Sequence, residues 1–181
     1  RLGVKTKLIS GPSKLVPPKE IKIKNIISAT EMMNEVKKSL PVDIAVCAAA
    51  VSDFKPAVKQ KNKIKKNSFS DILKLEKNPD ILDYLSKTNK MRPKIVVGFS
   101  AETENIISNS KIKLKEKYCD LIVSNDVSSK NSGFNSEYNK VSIMDKKGKI
   151  KSISKNKKSY IADKIAKIIL DKILINDKNI N

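Results

Sequence analysis

Three apolar runs constrain this chain more than anything else in it. "DIAVCAAA" (43–50), "KIVVGFS" (94–100) and "DLIVSN" (120–125) are short and show no alternation of polar with apolar residues. A strand with one wet face alternates, so runs like these read as strands covered on both faces, the situation of a parallel sheet between helices. The segments around them fit. In "SATEMMNEVKKSL" (28–40), Ser28 and Glu31 have the spacing of a capping box, and Met32, Val36 and Leu40 fall four apart, which predicts an amphipathic helix. Asn78 is expected to cap a second helix that starts at Pro79 and turns Ile81, Leu82 and Leu85 inward, and a third helix should follow Ser100 through about Lys117. Shorter strands are expected in "KTKLIS" (5–10), "IKIKNII" (21–27) and "ILKLEK" (72–77). Strand alternating with helix predicts an α/β fold, a Rossmann-like three-layer α/β/α arrangement with a mostly parallel sheet.

The pattern changes after the polar stretch "DVSSKNSGFNSEYN" (126–139). "KVSIMDKKGKIKSIS" (140–154) reads as two alternating strands about a Lys-Lys-Gly turn, a C-terminal β-hairpin. A last helix over about 158–176 carries Ile161, Ile165, Ile168, Ile169 and Ile173 on one side. With 181 residues, no internal repeat and no linker, residues 1–181 are expected to form a single domain.

Several function classes drop out on composition. No run approaches the roughly eighteen apolar residues of a membrane helix. The opening "RLGVKTKLIS" has no signal-peptide core and no methionine, so the chain is expected to start inside a longer one. Cys47 and Cys119 each sit in an apolar segment where a strand is expected, which suits reduced thiols and a cytoplasmic setting better than a disulfide. Histidine is absent, so proton transfer must use other groups and no Cys/His metal site can form. The formal charge of +19 invites a nucleic-acid reading, but four Phe, four Tyr and no Trp leave few platforms for stacked bases.

Ligands of open parallel sheets sit beyond the carboxyl ends of the strands. Here those ends are small or polar: Ala49-Ala50 to Asp53, Gly98 to Glu102, and Ser124-Asn125-Asp126. Beside Asp53 runs a loop with six lysines, Lys55, Lys59, Lys61, Lys63, Lys65 and Lys66, and the start of the helix at Asn78-Pro79-Asp80 offers free N–H groups. That combination suits a nucleotide with several phosphates. Unit charges about 4 Å apart attract by about 1 kcal/mol in bulk water and about 4 kcal/mol at an intermediate dielectric, so one lysine in a closing site outweighs many exposed ones. No Walker or GxGxxG motif is present, and on these grounds alone a solvated lysine loop with Asp53 as a turn residue fits as well.

"AAAVSDF", "NKIKK", "KNPDIL", "VVGFSAET", "DLIVSNDV" and "GFNSEYN", in this order and spacing, resemble phosphopantothenoylcysteine synthetase, the ligase domain of the bifunctional coenzyme A biosynthesis flavoprotein, over residues 2 to about 175. The resemblance implies a ligase that uses CTP and Mg²⁺ to activate 4′-phosphopantothenate as an acyl-cytidylate, which the amine of cysteine then attacks. It implies that Cys47, Ala48 and Ala49 line the nucleotide by their backbone, that Asp53 contacts it, and that Lys63 is the flexible-loop lysine at the phosphates. Main-chain groups of Pro79, Asp80, Ile81 and Leu82 would add contacts, Phe99 would pack by the base, and Lys113 and Lys117 would reach the same ligand. Asn125 and the loop Gly133 to Ser136 would complete the wall, with Lys63, Asp53 and Asn125 nearest the chemistry. A homodimer and an upstream flavin-dependent decarboxylase domain are further implications, with no specific nucleic acid and no membrane as partner.

The family opens with a strand ending in a Gly-Pro-Thr-type turn, then a loop with an asparagine and Ser-Ser-Gly. This sequence begins after that segment, so as given it is expected not to turn over alone. Without the family match each residue has an ordinary explanation: Phe99 as core, Lys113 and Lys117 as a wet helix face, Cys47 as a buried thiol. Two competing functions are a basic nucleic-acid-binding module on the same scaffold and a non-catalytic dimerisation partner.

Overall fold

The computed structural model describes residues 2–58, 62, 72–87, 90–128 and 136–178, the last three through their backbone. In chain order the elements are β1 (Lys7–Ser10), β2 (Lys22–Asn25), α1 (Ala29–Ser39), β3 (Ile44–Cys47), β4 (Phe54–Pro56), β5 (Leu75–Lys77), α2 (Ile81–Lys87), β6 (Ile95–Glu102), α3 (Ile106–Lys117), β7 (Leu121–Asp126), β8 (Tyr138–Asp145), β9 (Ile150–Lys157) and α4 (Lys158–Lys178). They fall into two compact units, Arg1–Ser39 with Ala49–Ile81, and Leu40–Ala48 with Leu82–Asn181.

In the first unit β1 and β2 pair in parallel, Leu8 opposite Ile23, and the lysines of β2 stand in water as its alternation predicts. Helix α1 starts at the expected cap. Ser28 Oγ accepts the Glu31 N–H at 3.2 Å, while the Glu31 carboxylate reaches one residue further back than a standard box and accepts the Ile27 N–H at 3.0 Å. Met32 and Met33 are its buried side chains. Strand β4, which the lysine-rich sequence concealed, pairs antiparallel with β5, placing Phe54 opposite Lys77 and Pro56 opposite Leu75.

The second unit is a five-stranded mixed sheet in the order β3-β6-β7-β8-β9. Strands β3, β6 and β7 run parallel, and β8 and β9 follow antiparallel as the expected hairpin. Gly148 closes that hairpin at φ 80°, a left-handed conformation in which a side chain is strained. Alternation then sorts the side chains. Ile95, Val97, Leu121, Val123, Val141 and Ile143 meet Ile161, Ile165 and Ile169 of α4 on one face. On the other, Leu82 of α2 lies over Gly98 and Ile122 while Ser110 of α3 bonds Ser124. Helices therefore cover both faces of a sheet whose centre is parallel, the three-layer α/β fold expected. One run departs from expectation: "DIAVCAAA" forms a strand only to Cys47, and Val46 is 49% exposed because β3 is the terminal strand of this sheet.

At the amino ends of these strands a single carboxylate gathers the layers. Asp120, 4% exposed, accepts Arg92 Nη2 and the Val96 N–H on one oxygen, both at 2.9 Å, and Lys146 Nζ on the other at 3.1 Å. Arg92 also donates to the carbonyls of Ser86 at the end of α2 and Tyr118 at the end of α3. Asp120→Ala is expected to destabilise the fold by about 3 kcal/mol, the low end for breaking a buried pair because Arg92 keeps 27% exposure. Urea denaturation measures it, and a loss below about 1 kcal/mol would contradict this role.

Candidate functional site

At the carboxyl ends of β6 and β7 the register sets Ser100 beside Ser124, Ala101 beside Asn125, and Glu102 beside Asp126. The serines face α3. Ser124 Oγ lies 2.8 Å from Ser100 Oγ and 2.5 Å from Ser110 Oγ, and Ser110 also donates to the Ile106 carbonyl. A hydroxyl buried without a partner is costly, so this chain of hydroxyls fixes the first turns of α3 on the sheet. Asn105 enters the helix at φ 49° with no side-chain cap. Residues 103–108 with Lys111, Asp126 and Ser128 line an open groove of about 600 Å³ beyond the strand ends.

Both carboxylates at the strand ends have donors. Glu102 accepts Asn109 Nδ2 at 3.1 Å. Asp126 accepts the Ser128 hydroxyl at 2.5 Å and N–H at 3.1 Å, and Lys140 Nζ at 3.0 Å. The Ser128 hydroxyl first, and then the Lys140 ammonium, hold the Asp126 carboxyl below its ordinary 3.8. Lys113, expected at the ligand, shares a smaller groove with Glu102, Asn109, Ile112 and Glu116. It and Lys117 are half-buried on α3.

The structure puts Phe99 and Asn125 on the opposite face of the sheet from that helix. Phe99 packs against the α4 core cluster, and Asn125 lies one rung beyond its neighbour Val123 on that face. Asn125 Oδ1 accepts Asn139 Nδ2 at 2.9 Å. Asn139 closes the quoted stretch "GFNSEYN" but drew no role from sequence; the buried position of an amide beside an expected site residue is the signal, and it needs the strand register to be seen. Cys47 pairs with Gly98 and is half-buried, with Ala48 following the strand. Leu82 covers Gly98 so closely that a Cβ there would stand 2.7 Å from Leu82 Cδ2. Cys119 is sealed, and burial pushes its thiol up to about 11, which makes it inert as a nucleophile.

In the first unit Ala49 and Asp53 are exposed. Asn78 joins the Asp53 bend to Pro79, Asp80 and Ile81: its N–H donates to the Asp53 carbonyl at 2.8 Å and its Nδ2 to the Ser52 carbonyl at 2.9 Å. The helix begins at Ile81, so Asp80 and not Asn78 precedes it, and Asn78 serves to tie this segment to the Asp53 bend. Lys63 and the loop residues Gly133 to Asn135 lie outside the described residues, and Ser136 Oγ accepts the Tyr138 N–H at 3.1 Å.

Residues 1–173 match the family described as the DNA/pantothenate metabolism flavoprotein C-terminal domain. The chain is 39% identical over 172 residues to the coenzyme A biosynthesis bifunctional protein CoaBC of Borreliella burgdorferi, covering 93% of this chain and 43% of that protein. It is 36% identical over 172 residues to the CoaBC of Vibrio vulnificus, covering 93% and 42%. It thus spans less than half the length of the curated relatives it matches. Its structure is similar to the crystal structure of the C-terminal domain of CoaBC, with a TM-score of 0.74 and 28% identity over 97% of this chain and 77% of that one.

Because its folded-state value is depressed, Asp126 stabilises the fold at pH values above its unfolded titration, and that contribution disappears as pH falls through the folded value. Asp126→Asn should therefore lie below the parent in urea midpoint near neutral pH and converge with it below about pH 3.8. A gap that stays constant on acidification would contradict the assignment.

Proposed function

We propose, from the premise that this chain belongs to the DNA/pantothenate metabolism flavoprotein C-terminal domain family, that it is the phosphopantothenate–cysteine ligase part of a longer coenzyme A biosynthesis protein. The observation that supports this most is the 39% identity to a CoaBC protein across 93% of the chain. The reaction runs in two displacements. A carboxylate oxygen of 4′-phosphopantothenate attacks the α-phosphorus of CTP; the new P–O bond forms as the bond to the β-phosphate breaks, and pyrophosphate leaves. The cysteine amine then attacks the acyl carbon, the C–N bond forms, the C–O bond to CMP breaks, and the amine proton passes to solvent.

Charge builds on phosphoryl and carbonyl oxygens in both steps, so cationic side chains and backbone donors meet the chemical need without an imidazole. In this reading Lys63 neutralises the phosphates and Asp53 meets the nucleotide, while Lys113 and Asn125 are further ligand contacts. Mg²⁺ enters with CTP as the substrate complex. Also proposed are a homodimer, an upstream flavin-dependent decarboxylase domain in the natural chain, and a cytoplasmic setting; among the described residues no helix is long and apolar enough to cross a membrane.

The full-length protein given CTP, Mg²⁺, 4′-phosphopantothenate and cysteine should release pyrophosphate and CMP in step with phosphopantothenoylcysteine. Lys63→Gln should remove most of that turnover with the fold intact, and pyrophosphate release at the parent rate would take Lys63 out of the mechanism. Asp53→Asn should weaken CTP binding in calorimetry, and an unchanged affinity would count against its role.

A further inference from the structure

The pair Asn125 and Asn139 contains more information than a single hydrogen bond. Cross-strand pairing sets Asn125 opposite Val141, so Asn139 is its diagonal neighbour on β8. Between Asn139 and Val141 the β8–β9 register shifts, an irregularity of the kind that re-aims a side chain beside a site. Asn139 is 8% exposed, so its amide has little recourse to water.

The orientation of both amides follows from what each partner can do. The Lys140 backbone N–H can only donate, and it donates to Asn139 Oδ1 at 2.9 Å. Asn139 must then turn its NH₂ the other way, toward Asn125 at 2.9 Å. An NH₂ group can only donate, so Asn125 must offer its oxygen. The two N–H groups of Asn125 are thereby turned away from Asn139, and among the described residues no acceptor is seen for them.

We infer that Asn139 is a positioning residue: by occupying the carboxamide oxygen of Asn125 it makes that residue present a pair of donors to the ligand. The inference rests on the ligase reading in that it gives Asn125 a ligand to meet. What a fixed donor pair recognises is an acceptor oxygen, phosphoryl or carboxylate. CTP and 4′-phosphopantothenate both carry such oxygens, and their KM values, measured separately, tell them apart.

The test uses Asn139→Asp, Asn125→Ala and the double variant in the full-length protein. A carboxylate at position 139 keeps the size and can still accept the Lys140 N–H, but it can only accept from Asn125, whose amide must then flip and show its oxygen outward. Asn139→Asp should lower kcat/KM about ten- to a hundredfold, the usual loss when the partner orienting a ligating group goes, with the melting temperature close to the parent's. In the Asn125→Ala background it should change turnover less than about twofold, because it acts through Asn125. An unchanged kcat/KM for Asn139→Asp, or a loss of equal size in both backgrounds, would overturn the inference.

A readout without turnover covers the remaining case. The Asn125 side-chain NH₂ signals in ¹H–¹⁵N spectra, assigned by their disappearance in Asn125→Ala, should shift when CTP or 4′-phosphopantothenate is added to the parent protein. Signals unmoved by both would overturn the inference even in an active enzyme. Shifting signals in a protein that forms no product would support it while sinking the ligase reading alone.

Discussion

The buried carboxylate of Asp120 is the interaction on which the second unit depends. One side chain takes a guanidinium, an ammonium and a backbone N–H, and those donors arrive from the segment before β6, from the β8–β9 turn and from β6 itself. Its guanidinium partner then reaches the ends of α2 and α3. Left in isolation, a charge this deep would cost more than any nearby apolar contact returns, so these elements can close only in a register that brings all three donors to it. Strand order, helix ends and hairpin turn are thereby fixed together.

Because this junction lies at the amino ends of the parallel strands, the carboxyl ends are free of that structural duty. There the polar groups are of another kind: a buried relay of serine hydroxyls under α3, two carboxylates on adjacent strands, and an asparagine pair at the margin of the α4 core. The strands that deliver them are rigid, with Val96, Val97, Ile122 and Val123 fully enclosed. Rigid delivery of polar groups to a strand end is what a site for an anionic ligand requires.

Most of this architecture was legible in the residues. The enclosed runs around Val96 and Ile122, the isoleucine stripe of α4, the Ser28 cap and the Lys-Lys-Gly turn are local patterns, and local patterns survive folding. What escaped was non-local. Phe54–Pro56 becomes a strand only because Leu75–Lys77 lies beside it, and Arg92 and Asp120 stand 28 residues apart in sequence. Val46 looked enclosed because its side chain is apolar, whereas exposure depends on whether a further strand follows in the sheet. Asn78 has the residue type of a cap, but the helix starts only at Ile81. Asp53 and Asn125 were singled out through motif order alone, while Asn139, at the end of the stretch "GFNSEYN", becomes informative only once β8 is laid against β7.

Strand β9 ends the sheet with Lys151, Lys155 and Lys157 exposed along it. A foreign strand extending the sheet here would have to align its backbone with a row of ammonium groups, so the rim is guarded by like charge. Such protection is only as long-ranged as the solution allows, reaching about 10 Å at 0.1 M salt and about 3 Å at 1 M. Added salt therefore strips this border of its guard while leaving the strand pairing inside the sheet in place.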